Sequence, residues 1–116
     1  MQAVILAAGQ GTRLKPLTDD LPKCLLDVGG KTIIFRQINA LWSLGIKDII
    51  VVVGYKADLV KEHIAKECPY AQIIFVTNED YATTNNIHSL ALAMPYILSQ
   101  YILLCGDVVF HPDATK

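Results

Sequence analysis

Short, mostly apolar runs are the first regularity along this chain. Four of them are five or six residues long and rich in aliphatic side chains, which is typical of parallel strands buried on both faces. They occupy residues 2–6, 48–53, 71–76 and 101–105. A shorter extended segment is expected at residues 25–28, where Gly29 and Gly30 then form a turn.

The segments between these runs have helical spacing. Apolar positions three and four residues apart predict helices over residues 33–44, 57–67 and 87–96. Thr32 is a plausible N-cap of the first helix, and Gly45 suits the position just after its end. Pro95 weakens the last turn of the third helix. Strands that alternate with helices predict an α/β fold with a mainly parallel sheet.

In open α/β sheets, ligands bind beyond the carboxyl ends of the strands. Glycine, asparagine and charged residues gather at those predicted ends, at residues 8–13, 54–55, 77–81 and 106–107. We therefore expect a binding site at this edge of the sheet.

Charge and cysteine content narrow the function classes. Ten basic and eleven acidic residues give a net charge of −1, so nothing indicates nucleic acid or an anionic membrane as partner. No apolar run approaches the length of a membrane span. Cys24, Cys68 and Cys105 have no zinc-ligand spacing, and reduced thiols in a cytoplasmic protein are the simplest interpretation.

The loop after the first strand carries the candidate chemistry. Gly9 and Gly11 allow close backbone approach to a ligand, and successive N–H groups in such a turn bind anions. Arg13 and Lys23 add positive charge, which suits a nucleoside triphosphate. A dinucleotide fingerprint or a Walker A loop would need glycine at position 14, which is Leu14, so both motifs are excluded.

The run LAAGQGTRLKPLT at residues 6–18, followed by PKCLLDV at residues 22–28, closely resembles the signature of the sugar-phosphate nucleotidyltransferase family. The resemblance implies a Rossmann-like three-layer sandwich of the nucleotide-diphospho-sugar transferase type. It also implies an enzyme that joins a nucleoside triphosphate to a phosphorylated acceptor and releases pyrophosphate. The match corresponds to the N-terminal half of the family, so we expect residues 1–116 to be the nucleotide-binding part and to be inactive alone.

In this resemblance Arg13 and Lys23 are the catalytic cations. Arg13 suits the departing β- and γ-phosphates, and Lys23 suits the α-phosphate and the incoming phosphate. Asp107 is implied as a ligand of Mg²⁺, with a second aspartate expected from the C-terminal half.

Residues 78–90 look most like the cytidylyltransferase branch, which acts on phosphocholine or related small phosphorylated acceptors. The expected partners are therefore CTP and such an acceptor. The predicted nucleotide-binding residues are Leu6, Ala7, Ala8, Gly9, Gly11, Thr12, Arg13, Asn78, Tyr81 and Asn86. Helix capping is an equally good interpretation of Asn86.

Two other functions remain open from the sequence. The first is transfer from UTP, dTTP or GTP to a sugar 1-phosphate. The second is a catalytically silent nucleotide-binding or regulatory domain, against which the presence of Arg13, Lys23 and Asp107 argues.

Overall fold

The computed structural model describes residues 1–9, 22–81, 83 and 86–105. Within these residues the strands are β1 (Gln2–Ala7), β2 (Asp27–Val28), β3 (Lys31–Thr32), β4 (Asp48–Val53), β5 (Gln72–Thr77) and β6 (Tyr101–Cys105). The α-helices are α1 (Ile33–Ser43), α2 (Ala57–Glu67) and α3 (Asn86–Ala93). Two short 3₁₀ turns cover Lys23–Leu25 and Met94–Tyr96.

The main sheet has the parallel strand order β5-β4-β1-β6. The chain therefore lays strands to one side of β1 and then crosses back to place β6 on the other side. The strand order reverses between β1 and β6, and such a switch point is where open α/β sheets bind ligands. The prediction of an α/β fold with a mainly parallel sheet is confirmed.

Two helical layers bury the sheet because β1 and β4 are apolar on both faces. Ala3, Ile5 and Ala7 belong to a core cluster that also contains buried residues of α1 and α2. Val4 and Leu6 belong to a second cluster, which contains Ala93 of α3. The three-layer arrangement thus follows from the alternation of side chains along buried strands.

Most predicted boundaries are reproduced, with local differences. The predicted strands 48–53 and 101–105 and the helix 57–67 have the bounds expected. The helix 87–96 instead begins at Asn86 and ends at Ala93, because Pro95 has no N–H for an α-helical bond and the chain tightens into a 3₁₀ turn. The prediction of an extended segment over residues 25–28 was wrong at its start, where Lys23–Leu25 forms the other 3₁₀ turn.

The segment before α1 is a small hairpin of β2 and β3. Gly29 and Gly30 form its two-residue turn with φ values of +65° and +93°, a backbone that residues with a side chain rarely adopt. Thr32 caps α1 as expected, since its hydroxyl accepts a hydrogen bond from the Phe35 N–H at 3.3 Å. Gly45 follows α1 with a φ of +80°, which confirms the predicted helix end.

At the amino edge of the sheet, Gln2 organises the turn that leads into β6. Its side chain is 2% exposed. The Oε1 atom accepts hydrogen bonds from the backbone N–H groups of Leu98 at 2.6 Å and Ser99 at 3.0 Å. The Nε2 atom donates to the Tyr96 carbonyl at 3.1 Å. One buried amide therefore satisfies three backbone groups of the turn.

Candidate functional site

The carboxyl edge of the sheet continues the strand ladders into the loops. The backbone N–H of Tyr55 donates to the carbonyl of Ala8 at 3.0 Å, just beyond β4 and β1. The N–H of Asn78 donates to the carbonyl of Val53 at 2.7 Å, just beyond β5. These bonds hold the first residues of three loops together, as expected for the predicted edge.

Gly54 lies at the centre of this convergence. The point where a Cβ atom of Gly54 would lie is within 3 Å of the Cβ atoms of Ala8 and Tyr81 and of the Asn78 carbonyl oxygen. The first loop and the loop after β5 therefore meet across a glycine. Two of the predicted nucleotide-binding residues, Ala8 and Tyr81, are brought together in this way.

Two tyrosines pack beside this glycine. The rings of Tyr55 and Tyr81 have centroids 5.8 Å apart and an interplanar angle of 60°, an edge-to-face contact that favours a fixed ring orientation. The Nζ atom of Lys56 lies 5.7 Å from the centre of the Tyr55 ring. This corner of the site thus presents aromatic surface with a cation next to it.

The side chain of Asn78 is 1% exposed and bonded inside the protein. Its Nδ2 atom donates to the Ser89 hydroxyl at 3.0 Å, and its Oδ1 atom accepts from the Asp80 N–H at 3.0 Å. Asn78 therefore ties the turn that carries Tyr81 to α3. A contact of its side chain with a base stays a prediction.

The end of β6 is held from both helical layers. The Nε2 atom of Gln37 in α1 donates to the Cys105 carbonyl at 2.8 Å. The Nδ2 atom of Asn86, at the start of α3, donates to the Cys105 sulfur at 3.7 Å. Cys105 pairs with Leu6 across the switch point, so Asn86 lies at the edge where β1 and β6 meet.

Lys23 begins the 3₁₀ turn that precedes the hairpin. Its neighbours Cys24 and Leu25 are buried in the cluster with α1, and this burial raises the pKa of the Cys24 thiol to about 12. The N–H of Leu26 donates to the Lys23 carbonyl at 3.1 Å, and the N–H of Ile33, the first residue of α1, donates to the Leu26 carbonyl at 3.1 Å. The backbone of Lys23 is therefore fixed against the start of α1.

The other predicted site residues fall in three groups. Leu6, Ala7 and Ala8 are at most 5% exposed, so their side chains are buried, and a contact of their backbone with a nucleotide stays a prediction. Gly9 is exposed, and a Cβ atom built on it would contact no described atom within 4 Å. Gly11, Thr12, Arg13 and Asp107 lie outside the described residues.

In the described part of the chain, no group of three or more His, Cys, Asp or Glu is placed to hold a metal ion. None of its helices combines the length and hydropathy that crossing a membrane requires. All three cysteines are among the described residues and are free thiols.

Gln37 is a residue of the site that the sequence prediction missed, whereas Gly54 was placed at the predicted edge without its contacts to Ala8 and Tyr81. Gln37 shares the apolar stripe of α1 with Ile34, Ile38 and Leu41, and a polar residue in such a stripe indicates a buried partner. That signal was present in the sequence, although it could not identify Cys105 as the partner.

These features place Ala8 and Gly9, the first residues after β1, at the switch point of a parallel sheet. The family model described as nucleotidyl transferase matches residues 2–116. The chain belongs to the nucleotidyl transferase family. The resemblance inferred from the first loop is thereby confirmed.

Relatives of this chain carry the names of transferases for different nucleotides. The choline-phosphate cytidylyltransferase of Streptococcus pneumoniae is 39% identical over 113 residues, which cover 95% of this chain and 46% of that protein. The UTP–glucose-1-phosphate uridylyltransferase of Haloferax volcanii is 37% identical over 113 residues, covering 97% and 46%. The chain spans about half the length of these relatives.

A solved structure supports the fold. The inositol-1-phosphate CTP transferase of T. maritima aligns with a TM-score of 0.84 and 29% identity. The alignment covers 97% of this chain and 46% of that one. The expected nucleotide-diphospho-sugar transferase type of sandwich is therefore confirmed.

Proposed function

We propose that the protein transfers a cytidylyl group from CTP to a small phosphorylated acceptor and releases pyrophosphate. The observation that carries this proposal is the convergence of the first loop, Gly54 and Tyr81 at the carboxyl edge of the sheet, beside the β1–β6 switch point. Two of the relatives described above carry a cytidylyl or CTP transferase name. Phosphocholine is the acceptor that we propose to test first.

The proposed reaction is an in-line displacement at phosphorus. An acceptor phosphate oxygen forms a bond to the α-phosphorus of CTP, and the bond from that phosphorus to the β-bridging oxygen breaks. The electron pair of the broken bond leaves with pyrophosphate. Because the acceptor phosphate is already ionised near neutral pH, the attacking oxygen has no proton to lose. Positioning and charge stabilisation then account for most of the catalysis.

Two cations would supply that stabilisation. The guanidinium of Arg13 can donate paired hydrogen bonds to the β- and γ-phosphates as negative charge develops on them. The ammonium of Lys23, whose backbone is fixed against α1, can bind the α-phosphate and the acceptor phosphate together.

We further propose Mg²⁺ as the metal cofactor, with Asp107 as a ligand. Asp107 follows two residues after Cys105, whose carbonyl is held by Gln37 at the switch point. Mg²⁺ typically takes one or two carboxylates and fills its shell with phosphate oxygens and water, so a carboxylate at position 107 together with a bound triphosphate would suit it. When bound, Mg²⁺ would neutralise charge on the triphosphate.

The base would lie between the backbone of residues 6–9 and the Tyr81 ring. The Ala8 carbonyl already accepts from the Tyr55 N–H, so the proposed contacts of the pyrimidine edge are the backbone groups at the exposed end of this stretch, at Gly9. Asn86 lies at the same edge, bonded to Cys105, and is the proposed side-chain contact from α3. A uridylyltransferase is nearly as similar as the cytidylyltransferase, so UTP with a sugar 1-phosphate is the second candidate.

The test is a thermal-shift series on the full-length protein with CTP, UTP, dTTP, GTP and ATP, each with Mg²⁺, because residues 1–116 are expected to be inactive alone. A ligand that binds the folded state raises the melting temperature according to its affinity. We expect CTP to give the largest shift, and phosphocholine with CTP to yield CDP-choline and pyrophosphate. A larger shift with UTP would overturn the choice of base, and no shift with any nucleotide would overturn the proposed function.

A further inference from the structure

We propose that Gly54 is a positioning residue for the nucleotide base. In this proposal the lack of a side chain at Gly54 allows Tyr81 to close onto the first loop at Ala8. It rests on the proposed function for the identity of the ligand. The positioning role of Gly54 is supported by its distances to Ala8, Asn78 and Tyr81.

The first step is the space around Gly54. A Cβ atom at this position would lie 2.8 Å from the Cβ of Tyr81, 2.9 Å from the Cβ of Ala8 and 2.9 Å from the carbonyl oxygen of Asn78. Carbon atoms that are not bonded to each other make favourable contacts at about 3.5–4.0 Å, so all three approaches would be repulsive. Each neighbour is a backbone atom or a Cβ, and none can rotate away as the tip of a long side chain could.

The second step is that this glycine is needed for space and not for its backbone conformation. The described glycines with positive φ are Gly29, Gly30 and Gly45. Gly54 is described and is not among them, so an alanine could adopt its backbone angles. Gly45 is the opposite case, because its φ is +80° while a Cβ there would contact nothing within 4 Å.

The third step is what would have to move. A methyl group at position 54 would push the loop that carries Tyr81 away from Ala8. The hydrogen bonds from the Tyr55 N–H to Ala8 and from the Asn78 N–H to Val53 resist this movement. The Tyr55 ring, 5.8 Å from the Tyr81 ring, would be displaced as well. Gly54 therefore sets the distance between the two proposed contacts of the base, which are the backbone next to Ala8 and the Tyr81 ring.

Gly54→Ala tests this role, with Gly45→Ala as the matched control. Both variants exchange a glycine for alanine, but Gly45 follows α1 at the opposite edge of the sheet. We expect Gly54→Ala to raise the calorimetric Kd of CTP with Mg²⁺ roughly tenfold, since small displacements of binding groups have large effects. The Kd of inorganic tripolyphosphate, which has no base, should stay unchanged in both variants. Gly45→Ala should lower the melting temperature and leave the Kd of CTP unchanged.

Three results would overturn the inference. One is a Gly54→Ala protein that binds CTP as tightly as the wild type. Another is an equal rise in the Kd of tripolyphosphate, which would place Gly54 under the phosphates and not the base. The third result concerns Tyr81→Ala, which removes the ring without adding bulk and replaces Gly54→Ala if that variant does not fold. A Tyr81→Ala protein that binds CTP as tightly as the wild type would overturn the inference. In contrast, a wild type that binds no nucleotide would overturn the proposed function itself.

Discussion

The side-chain amide of Gln37 donates a hydrogen bond to the backbone carbonyl of Cys105, with the two atoms 2.8 Å apart. Gln37 lies in the first helix and is completely buried, whereas Cys105 ends the last described strand. A residue that lies among the apolar positions of α1 therefore fixes the point from which the chain continues toward Asp107.

Replacing Gln37 by leucine should lower the free energy of unfolding by about 1–3 kcal/mol, because the Cys105 carbonyl would lose its partner in a buried setting. The change is measured by urea denaturation. Asn39→Ala is the control, because Asn39 is exposed on the same helix. Its Oδ1 atom accepts a hydrogen bond from the Tyr70 hydroxyl at 3.4 Å, and this contact is exposed to solvent. Equal denaturation midpoints for the two variants would contradict a structural role of Gln37.

A second prediction concerns pH and the pair formed by Thr32 and His63. The Thr32 hydroxyl oxygen lies 2.7 Å from the His63 Nε2 atom while also capping α1. Burial lowers the pKa of His63 below 6.5, the charge on Lys66 lowers it further, and the carboxylate of Glu67 acts in the opposite direction. The unfolded chain thus takes up a proton first as pH falls. The contribution of neutral His63 to the free energy of unfolding is complete above pH 6.5, and it is lost as pH falls through the lowered pKa.

His63→Gln should therefore show a smaller fall in melting temperature than the wild type between about pH 7.5 and about pH 5.5. Thr32→Ser keeps a hydroxyl for both hydrogen bonds and should follow the wild-type curve. Parallel curves for His63→Gln and the wild type would show that this histidine does not contribute to the pH dependence.

A third prediction concerns Gln2 at the amino edge. Gln2→Leu leaves the N–H groups of Leu98 and Ser99 without their acceptor, so the free energy of unfolding should fall by about 1–3 kcal/mol. Gln100→Leu is the control, because Gln100 is exposed and contributes its backbone carbonyl to the same turn. Its effect should stay within about 0.5 kcal/mol. The prediction fails if chemical denaturation gives both variants the same stability.

A fourth prediction addresses Lys23. Lys23→Ala should lower kcat/KM for transfer from CTP about 100-fold, since a cation next to the reacting phosphates stabilises charge that develops in the transition state. Lys31→Ala is the matched control, because Lys31 lies on the hairpin with its ammonium 4.9 Å from the centre of the Phe35 ring. Steady-state kinetics that give Lys23→Ala and Lys31→Ala the same kcat/KM would remove the proposed role.

A fifth prediction addresses Asp107. Asp107→Asn keeps the size of the side chain and removes its charge, so it should abolish transfer and weaken the Mg²⁺ dependence of CTP binding. Calorimetric titrations of CTP with and without Mg²⁺ measure this dependence. An unchanged Mg²⁺ effect in Asp107→Asn would mean that another residue binds the metal.

The sequence predicted the parts of the fold that depend on local pattern. β4, β6 and α2 have the predicted bounds, because unbroken aliphatic runs and regular helical spacing identify such elements directly. The 3₁₀ turn at Lys23–Leu25 was missed, since the consecutive burial of Cys24 and Leu25 depends on packing against α1. Local propensity cannot report a contact that tertiary structure supplies.

The candidate site also has features that the sequence predicts and features that depend on tertiary contacts. The carboxyl edge was predicted because strand ends and glycines are visible in the sequence, and the convergence of Ala8 with Tyr81 agrees with that prediction. The contact partners of Gln37 and Gly54 were not predictable, because they come from distant parts of the chain that meet only in the folded sheet.

The central position of β1 also has a consequence for synthesis. Of the described strands, β1 is the first to leave the ribosome, yet it pairs Gln2 with Tyr101, near the end of the described residues. One edge of a fully buried apolar strand therefore stays open until almost all of these residues have been made. Because pairing over such a sequence separation is slow, the nascent chain passes through a stage at which other unpaired strands compete for that edge.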